Sequence, residues 1–206
     1  MNAYPEQKPT IHRVEELDFS AQYCAADYWR FRFEEMVEII RGKIFKMAPA
    51  PSSNHQRVQN KLNYRLNQAL EQGDCEIFPA PFDVYLRRSG ETFAEAQNIV
   101  QPDICVVCDA EKIKREGCLG APDLVVEILS PGTRRKDLTV KKDLYEEFGV
   151  PELWVVSVPE RLLLRFDLQG GSYRQSTFVE GQTVSSARFQ NLEIVLEEIF
   201  ADIKEE

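Results

Sequence analysis

The run APDLVVEILSPG (121–132) sets one carboxylate, Glu127, among the aliphatic residues Leu124, Val125, Val126, Ile128 and Leu129. An isolated ionised carboxylate taken out of water is strongly disfavoured unless it is paired or binds a metal. A second acid, Asp103, follows Pro102 and opens DICVVCD (103–109), just as Asp123 follows Pro122 and opens DLVVEIL. If the two apolar strands are neighbours, Asp103 and Glu127 approach one another, and two close carboxylates repel unless a cation lies between them. Mg²⁺ suits such a pair, because it takes oxygen ligands and often uses only one or two carboxylates beside water and substrate phosphate. The competing reading gives Glu127 an internal salt bridge or an exposed sheet face.

The segment after Glu127 supplies a cation. If RRKDLTVKKDLYEEFGV (134–150) is helical, its apolar face holds Leu138, Leu144, Tyr145 and Phe148. At about 100° per residue, Lys141 falls in the middle of that face and Lys142 on its flank. An inward lysine needs a partner for its charge, and a purely structural Lys141–Glu127 ion pair is one way to meet that need. The other is chemistry. Carboxylate-held metal activates water and neutralises charge on a phosphate, while a lysine orients the nucleophile and stabilises the transition state.

The remaining elements must position these groups. VEII and KIFK flank Arg41-Gly42 as a hairpin within 36–47, and Ser52 or Ser53 caps a helix to about Glu71 with Val58, Leu62, Leu66 and Leu70 on one face. Residues 20–35 read as a helix, 76–88 as a strand, 89–98 as a loop, and 99–109 as a strand interrupted by Pro102. ELWVVSV (152–158) and RLLLRFDL (161–168) read as a hairpin around Pro159-Glu160, SYRQSTFV (172–179) as a further strand, and NLEIVLEEIF (191–200) as a closing strand and helix. The pattern predicts an α/β (α+β) fold, a mixed sheet flanked by helices with additional β-hairpins. One domain over 19–206 follows an arm over 1–18.

Composition narrows the function classes. The chain has 206 residues and a formal net charge of −9, which argues against a protein that coats nucleic acid but not against an enzyme acting on it. The densest basic cluster, Arg134, Arg135 and Lys136 followed by Lys141 and Lys142, comes directly after the Glu127 strand. No apolar run is long enough to span a bilayer, and the first residues lack the pattern of a secretory signal. The five scattered cysteines read as reduced thiols, which points to the cytoplasm. Cys105 and Cys108 form a CxxC that a strand would point to opposite faces, a poor zinc pair.

Taken together, QPD (101–103), DLVVEILSPGT (123–133) and RRKDLTVKKDLYEEFGVPELWVV (134–156) resemble the bacterial Uma-type restriction endonuclease family of the PD-(D/E)XK nuclease superfamily. VEIIRGKIFKMAPAPSSNHQ (37–56), PAPFDVYL (79–86) and FQNLEIVLEEIF (189–200) extend the resemblance over most of the chain. It implies a restriction-endonuclease-like fold and a metal-dependent endonuclease of DNA, with Mg²⁺ or Mn²⁺ held by Asp103 and Glu127. It also implies Lys141 and Glu38 as catalytic residues and a homodimer. The superfamily's usual lysine lies two residues after the second acid, where this chain has Leu129, and Lys141 matches the family's migrated position. His55, Asp83 and Gln101 are candidates to line the site. Arg134, Arg135 and Lys136 are candidates for phosphate contact. The contrasting readings are a non-catalytic nucleic-acid-binding or regulatory module on a nuclease scaffold, and a two-carboxylate glycosidase that would leave Lys141 unexplained.

Overall fold

The computed structural model describes residues 9–47, 51–130 and 136–204. Two six-stranded mixed sheets stand where the sequence suggested one sheet with hairpins. The strands are β1 (Val37–Ile40), β2 (Lys43–Lys46), β3 (Glu76–Pro79), β4 (Val84–Leu86), β5 (Asn98–Val100), β6 (Ile104–Val107), β7 (Ile113–Lys114) and β8 (Gly117–Leu119). They continue with β9 (Leu124–Leu129), β10 (Glu152–Ser157), β11 (Leu162–Gln169), β12 (Ser172–Val179), β13 (Thr183–Ser185) and β14 (Glu193–Val195). The first sheet runs β2-β1-β5-β4-β8-β7 and the second β12-β11-β10-β9-β6-β3; β13 and β14 pair separately.

The chain changes sheets at Gln101-Pro102-Asp103. Proline has no N–H to give a ladder, so the apolar run 99–109 breaks there, and β5 and β6 end up in different sheets. Residues 76–88 divide in the same way, with β3 in the second sheet and β4 in the first. The β1–β2 hairpin turns through Arg41 (φ 51) and Gly42 (φ 74), the doubly positive φ that a two-residue hairpin turn requires.

Alternation sorts the core into layers. Ile40, Val84, Leu86 and Val100 of the first sheet meet Cys105, Val125, Leu129, Leu153 and Val155 of the second, so this apolar layer lies between the sheets. On the other face of the second sheet, Val58, Leu62 and Leu66 of helix α2 (Ser53–Leu70; α1 is the single turn Ala25–Tyr28) pack with Ile104, Val126 and Trp154. Ser52 is the N-cap of α2, accepting from the N–H of His55. The short closing helix α4 (Leu196–Phe200) joins that layer. On the outer face of the first sheet, Val14 and Leu17 are buried with Ile39, Tyr85 and Ile99. The described part of the expected N-terminal arm is therefore packed into the fold. The helix expected over 20–35 shrinks to α1, because Tyr23, Tyr28, Trp29, Phe31 and Phe33 pack as an irregular aromatic layer on this face.

Strands β9 and β10 are parallel and β6 runs antiparallel to β9. Between β9 and β10 the chain forms a π-helical turn, Lys136–Lys141, that passes into helix α3 (Lys142–Glu147). Gly149 (φ 76) ends it, and Pro151 cannot continue it. Cys75 and Cys108, read from sequence as free thiols, form a disulfide joining the segments beside the paired strands β3 and β6. Cys24, Cys105 and Cys118 are free. The sequence separation of 33 residues concealed the Cys75–Cys108 pairing. No described helix is long and apolar enough to cross a membrane.

Candidate active site

Glu127 occupies the fourth position of β9 and points with Val125 and Leu129 into the layer between the sheets. Glu38, on β1, alternates with Ile39 and shares the inward direction of Ile40. The two sheets thus bring carboxylates far apart in sequence into one apolar layer, where Glu38 is 0% and Glu127 3% exposed. Lys141, 3% exposed, bridges them: its Nζ lies 2.8 Å from Glu38 Oε1 and 2.9 Å from Glu127 Oε1. Tyr145, one turn further along α3, donates its hydroxyl to Glu127 Oε1 at 2.6 Å. Glu38 Oε1 also accepts from the backbone N–H of Gln101 at 3.1 Å.

Asp103 stands where β6 begins. The β6–β9 register pairs Ile104 with Val126, so one step further sets Asp103 opposite Glu127. Its Oδ2 accepts from the N–H of Ile128, the peptide directly after Glu127, at 2.6 Å. Its Oδ1 lies 3.3 Å from His55 Nε2, an ion pair when the imidazole is protonated. Gln59, one turn after His55 on α2, donates to the Asp103 carbonyl at 2.8 Å. His55 and Gln59 thereby bring the start of α2 against the strand end that carries the acid.

Asp83 and Gln101 form an adjoining polar group on the outer face of the first sheet. Asp83 Oδ1 accepts from Gln101 Nε2 at 2.7 Å and from the Tyr28 hydroxyl at 3.3 Å, and Oδ2 accepts from the Tyr85 hydroxyl at 3.3 Å. Burial raises the Asp83 carboxyl above its ordinary range, opposed by hydrogen bonds from Gln101, Tyr28 and Tyr85 and reinforced by the Glu38 charge. Burial also pushes the Tyr28 and Tyr85 hydroxyls well up, so they stay protonated as donors.

The structure therefore brings together Glu38, Glu127 and Lys141 by direct contact and places Asp103 with His55 beside them, with Gln101 linking Asp83 to Glu38. Arg134 and Arg135 lie outside the described residues, and Lys136 is described only as the start of the π-helical turn. Lys142 turns to Asp143 at 2.8 Å instead. Asp123, the acid of the second Pro-Asp, pairs with Arg188 at 2.9 Å and accepts from the Cys108 N–H, away from Glu127. Sequence reading gave no polar role to Tyr145 and passed over Gln59. Tyr145 had a signal, since it lies four residues after Lys141 and so shares its helix face.

The Glu38–Glu127–Lys141 cluster satisfies the reading of Glu127 as an internal ion pair and holds one cation against two buried carboxylates. Buried ion pairs are a poor source of stability, and a cluster of buried charges such as this one is a candidate functional site.

A Synechocystis sp. protein, "Uncharacterized protein slr1290", is 32% identical over 117 residues, a match that spans 57% of this chain and 57% of that relative. The crystal structure titled as a putative nuclease belonging to DUF820, from Anabaena variabilis, superposes with a TM-score of 0.65 at 22% identity. It covers 82% of this chain and 91% of that one, so the two share a fold. Residues 21–197 match the Uma2 family, described as "Putative restriction endonuclease". Both carboxylates, the bridging lysine and the two sheets that unite them lie inside that span, and the protein belongs to this family.

Proposed function

We propose that the protein is a metal-dependent endonuclease that hydrolyses DNA phosphodiester bonds, with one nuclease domain over residues 19–206 working as a homodimer. The observation that carries this reading is the convergence of Glu38, Glu127 and Lys141 in an otherwise apolar layer, with Asp103 opposite Glu127. Asp103 and Glu127 are hard oxygen donors on neighbouring strands, and they fit Mg²⁺, or Mn²⁺ in its place. Among the described residues no three His, Cys, Asp or Glu side chains are grouped to hold a metal ion. That agrees with an ion completed by water and substrate phosphate. Bound there, the metal would supply charge neutralisation at the phosphate and a more acidic water.

The chain's own groups do the rest. Ile128 N–H and His55 hold the two oxygens of Asp103 in place, while Lys141 and Tyr145 fix Oε1 of Glu127. The Lys141 ammonium orients the attacking water and faces the negative charge that grows on the phosphate oxygens. Glu38 holds the ammonium in place from the opposite sheet. In the hydrolysis, the water gives up one proton as its oxygen bonds to phosphorus, the P–O ester bond breaks, and the leaving alkoxide takes up a proton, so one O–H bond is lost and one is formed. Arg134, Arg135 and Lys136 are assigned to backbone phosphates.

A plasmid-nicking assay with Mg²⁺ or Mn²⁺ tests the assignment. Wild type should nick, and Glu127→Ala and Lys141→Ala should lose nearly all activity. Equal cleavage by all three overturns the mechanism. Absence of cleavage by wild type, alongside salt-sensitive DNA binding, would instead identify a binding module on the nuclease scaffold.

A further inference from the structure

Between the aromatic layer and the outer face of the first sheet lies a cavity of about 420 Å³, within the size range of small-molecule sites. Tyr28, Trp29, Phe31, Phe33 and Tyr85 line it, and Asp83 and Gln101 form a polar part of its wall. The Gln101 Oε1 atom is buried and has no hydrogen-bond partner among the described residues. The N–H of this same residue bonds Glu38, so one peptide unit separates the cavity from the buried charge cluster. Arg32, Glu34, Glu35 and Glu116 complete the charged lining.

What fits aromatic walls, one unmet amide acceptor and a carboxylate held by two long hydroxyl bonds is a neutral planar ring bearing amino groups. We propose that this cavity is a nucleobase subsite, which takes an adenine, cytosine or guanine drawn out of the DNA stack beside the bond to be cut. The base stacks on the aromatic walls, and its amino edge donates to Asp83 and to the Gln101 carbonyl. The Tyr28 and Tyr85 hydroxyls reach Asp83 only at 3.3 Å, long for O–H···O bonds, so they give way readily to a better donor. Thymine presents a single ring N–H between two carbonyls and sets acceptor against acceptor. This subsite rests on the nuclease reading, because only a nucleic-acid substrate brings a base to this position. An organic polycation is the competing occupant, since aromatic faces and carboxylates attract it too.

Trp29 lines the cavity, whereas Trp154 is fully buried, so tryptophan fluorescence reports occupancy. The metal-free full chain is titrated with adenosine, cytidine, guanosine, thymidine and, separately, spermidine. The three amino-bearing nucleosides should quench saturably, with thymidine weaker by about tenfold, the worth of one hydrogen bond to a charged acceptor. Asp83→Asn should erase the preference, and Trp29→Phe should erase the signal. If Asp83→Asn does not fold by circular dichroism, Gln101→Met reads the same preference. Glu127→Gln should bind nucleosides like wild type whatever its cleavage, so failure of the nuclease reading and failure of the subsite are told apart. Thymidine equal to the others, no saturable quenching in the millimolar range, or spermidine displacing the nucleosides would overturn the proposal.

Discussion

Lys141→Met removes one charge and keeps most of the side chain's length, so it isolates the electrostatics of the buried cluster. Lys141 Nζ lies 2.8 Å from Glu38 Oε1 and 2.9 Å from Glu127 Oε1, which limits the separation of those two oxygens to 5.7 Å, the sum of the two distances. At that separation two unit charges repel by about 3 kcal/mol at an effective dielectric of about 20. Removing one partner of a buried ion pair costs about 3–5 kcal/mol, in line with that figure. The expected loss at neutral pH is therefore about 3–5 kcal/mol, read from denaturant unfolding followed by circular dichroism. A companion variant, Glu127→Gln with Lys141→Met, removes the repulsion and should recover most of the lost stability, since contacting groups are non-additive. The double variant should still fail to cut DNA. A loss below about 1 kcal/mol for Lys141→Met, the range of an exposed pair, would refute the reasoning. So would a double variant that recovers no stability. Wild-type cleavage by the double variant would detach the cluster from catalysis altogether.

Tyr145→Phe removes the hydroxyl that donates to Glu127 Oε1 beside the Lys141 ammonium and should cost about 1.5–3 kcal/mol, the range for hydrogen bonds to charged groups. It should also lower the nicking rate in a protein that remains folded, and an unchanged rate would reduce Tyr145 to packing. Burial raises the Asp83 carboxyl in the fold, so the folded state binds its proton more tightly than the unfolded chain does. That contribution is fully present below the unfolded carboxylate value of about 3.9 and is lost as pH rises through the folded value. Asp83→Asn should therefore compare better with wild type at pH 7 than at pH 4 in thermal melts, and the opposite trend would contradict the shift. Cys75 and Cys108 are 33 residues apart, and a cross-link over such a loop stabilises by about 3–4 kcal/mol in the chain-entropy account. Reductant should lower the denaturation midpoint accordingly, and the Cys75→Ser, Cys108→Ser double variant should show no response to it.

The elements set by local rules were legible in the sequence: the Arg41-Gly42 hairpin, the serine cap at Ser52 or Ser53 with the Val58-Leu62-Leu66 face behind it, and the LVVEIL and ELWVVS strands. What escaped it depends on distant partners. Pro102 was legible as a break, yet nothing local tells the chain that β5 and β6 join different sheets, and that division is what lets Glu38 face Glu127 from the opposite layer. The residues of 20–35 carry helix-compatible spacing, but their aromatic rings gain more by covering the first sheet than by completing a helix. Cys75 meets Cys108 only because β3 pairs with β6, a register the sequence does not print. Asp103 was found through its dipeptide and His55 as a site-lining candidate, whereas Gln59, one turn further along the same helix, was passed over because only the packing of that helix on the sheet brings it to the Asp103 carbonyl.

The position of the lysine follows from the same geometry. Leu129 lies two residues after Glu127, so it points to the same side of β9, and it is buried at 5% exposure among Val125, Leu144, Val155 and others of the apolar layer. A lysine there would start from the strand itself and would have to displace that packing. Lys141 starts from the helical segment covering β9 and brings its ammonium down onto Glu127 from above. The wheel that selected it assumed an unbroken α-helix, whereas the chain reaches Lys141 through a π-helical turn before α3 begins. The selection survives because Lys141, Leu144 and Tyr145 are related by α-helical spacing on the far side of that turn, where the face is set. π-helical turns are uncommon and often accompany functional sites, and this one ends on the residue that bridges Glu38 and Glu127. What the chemistry requires is an ammonium at one point between two carboxylates, and a fold can deliver it from the strand that carries the acid or from the helix that covers it.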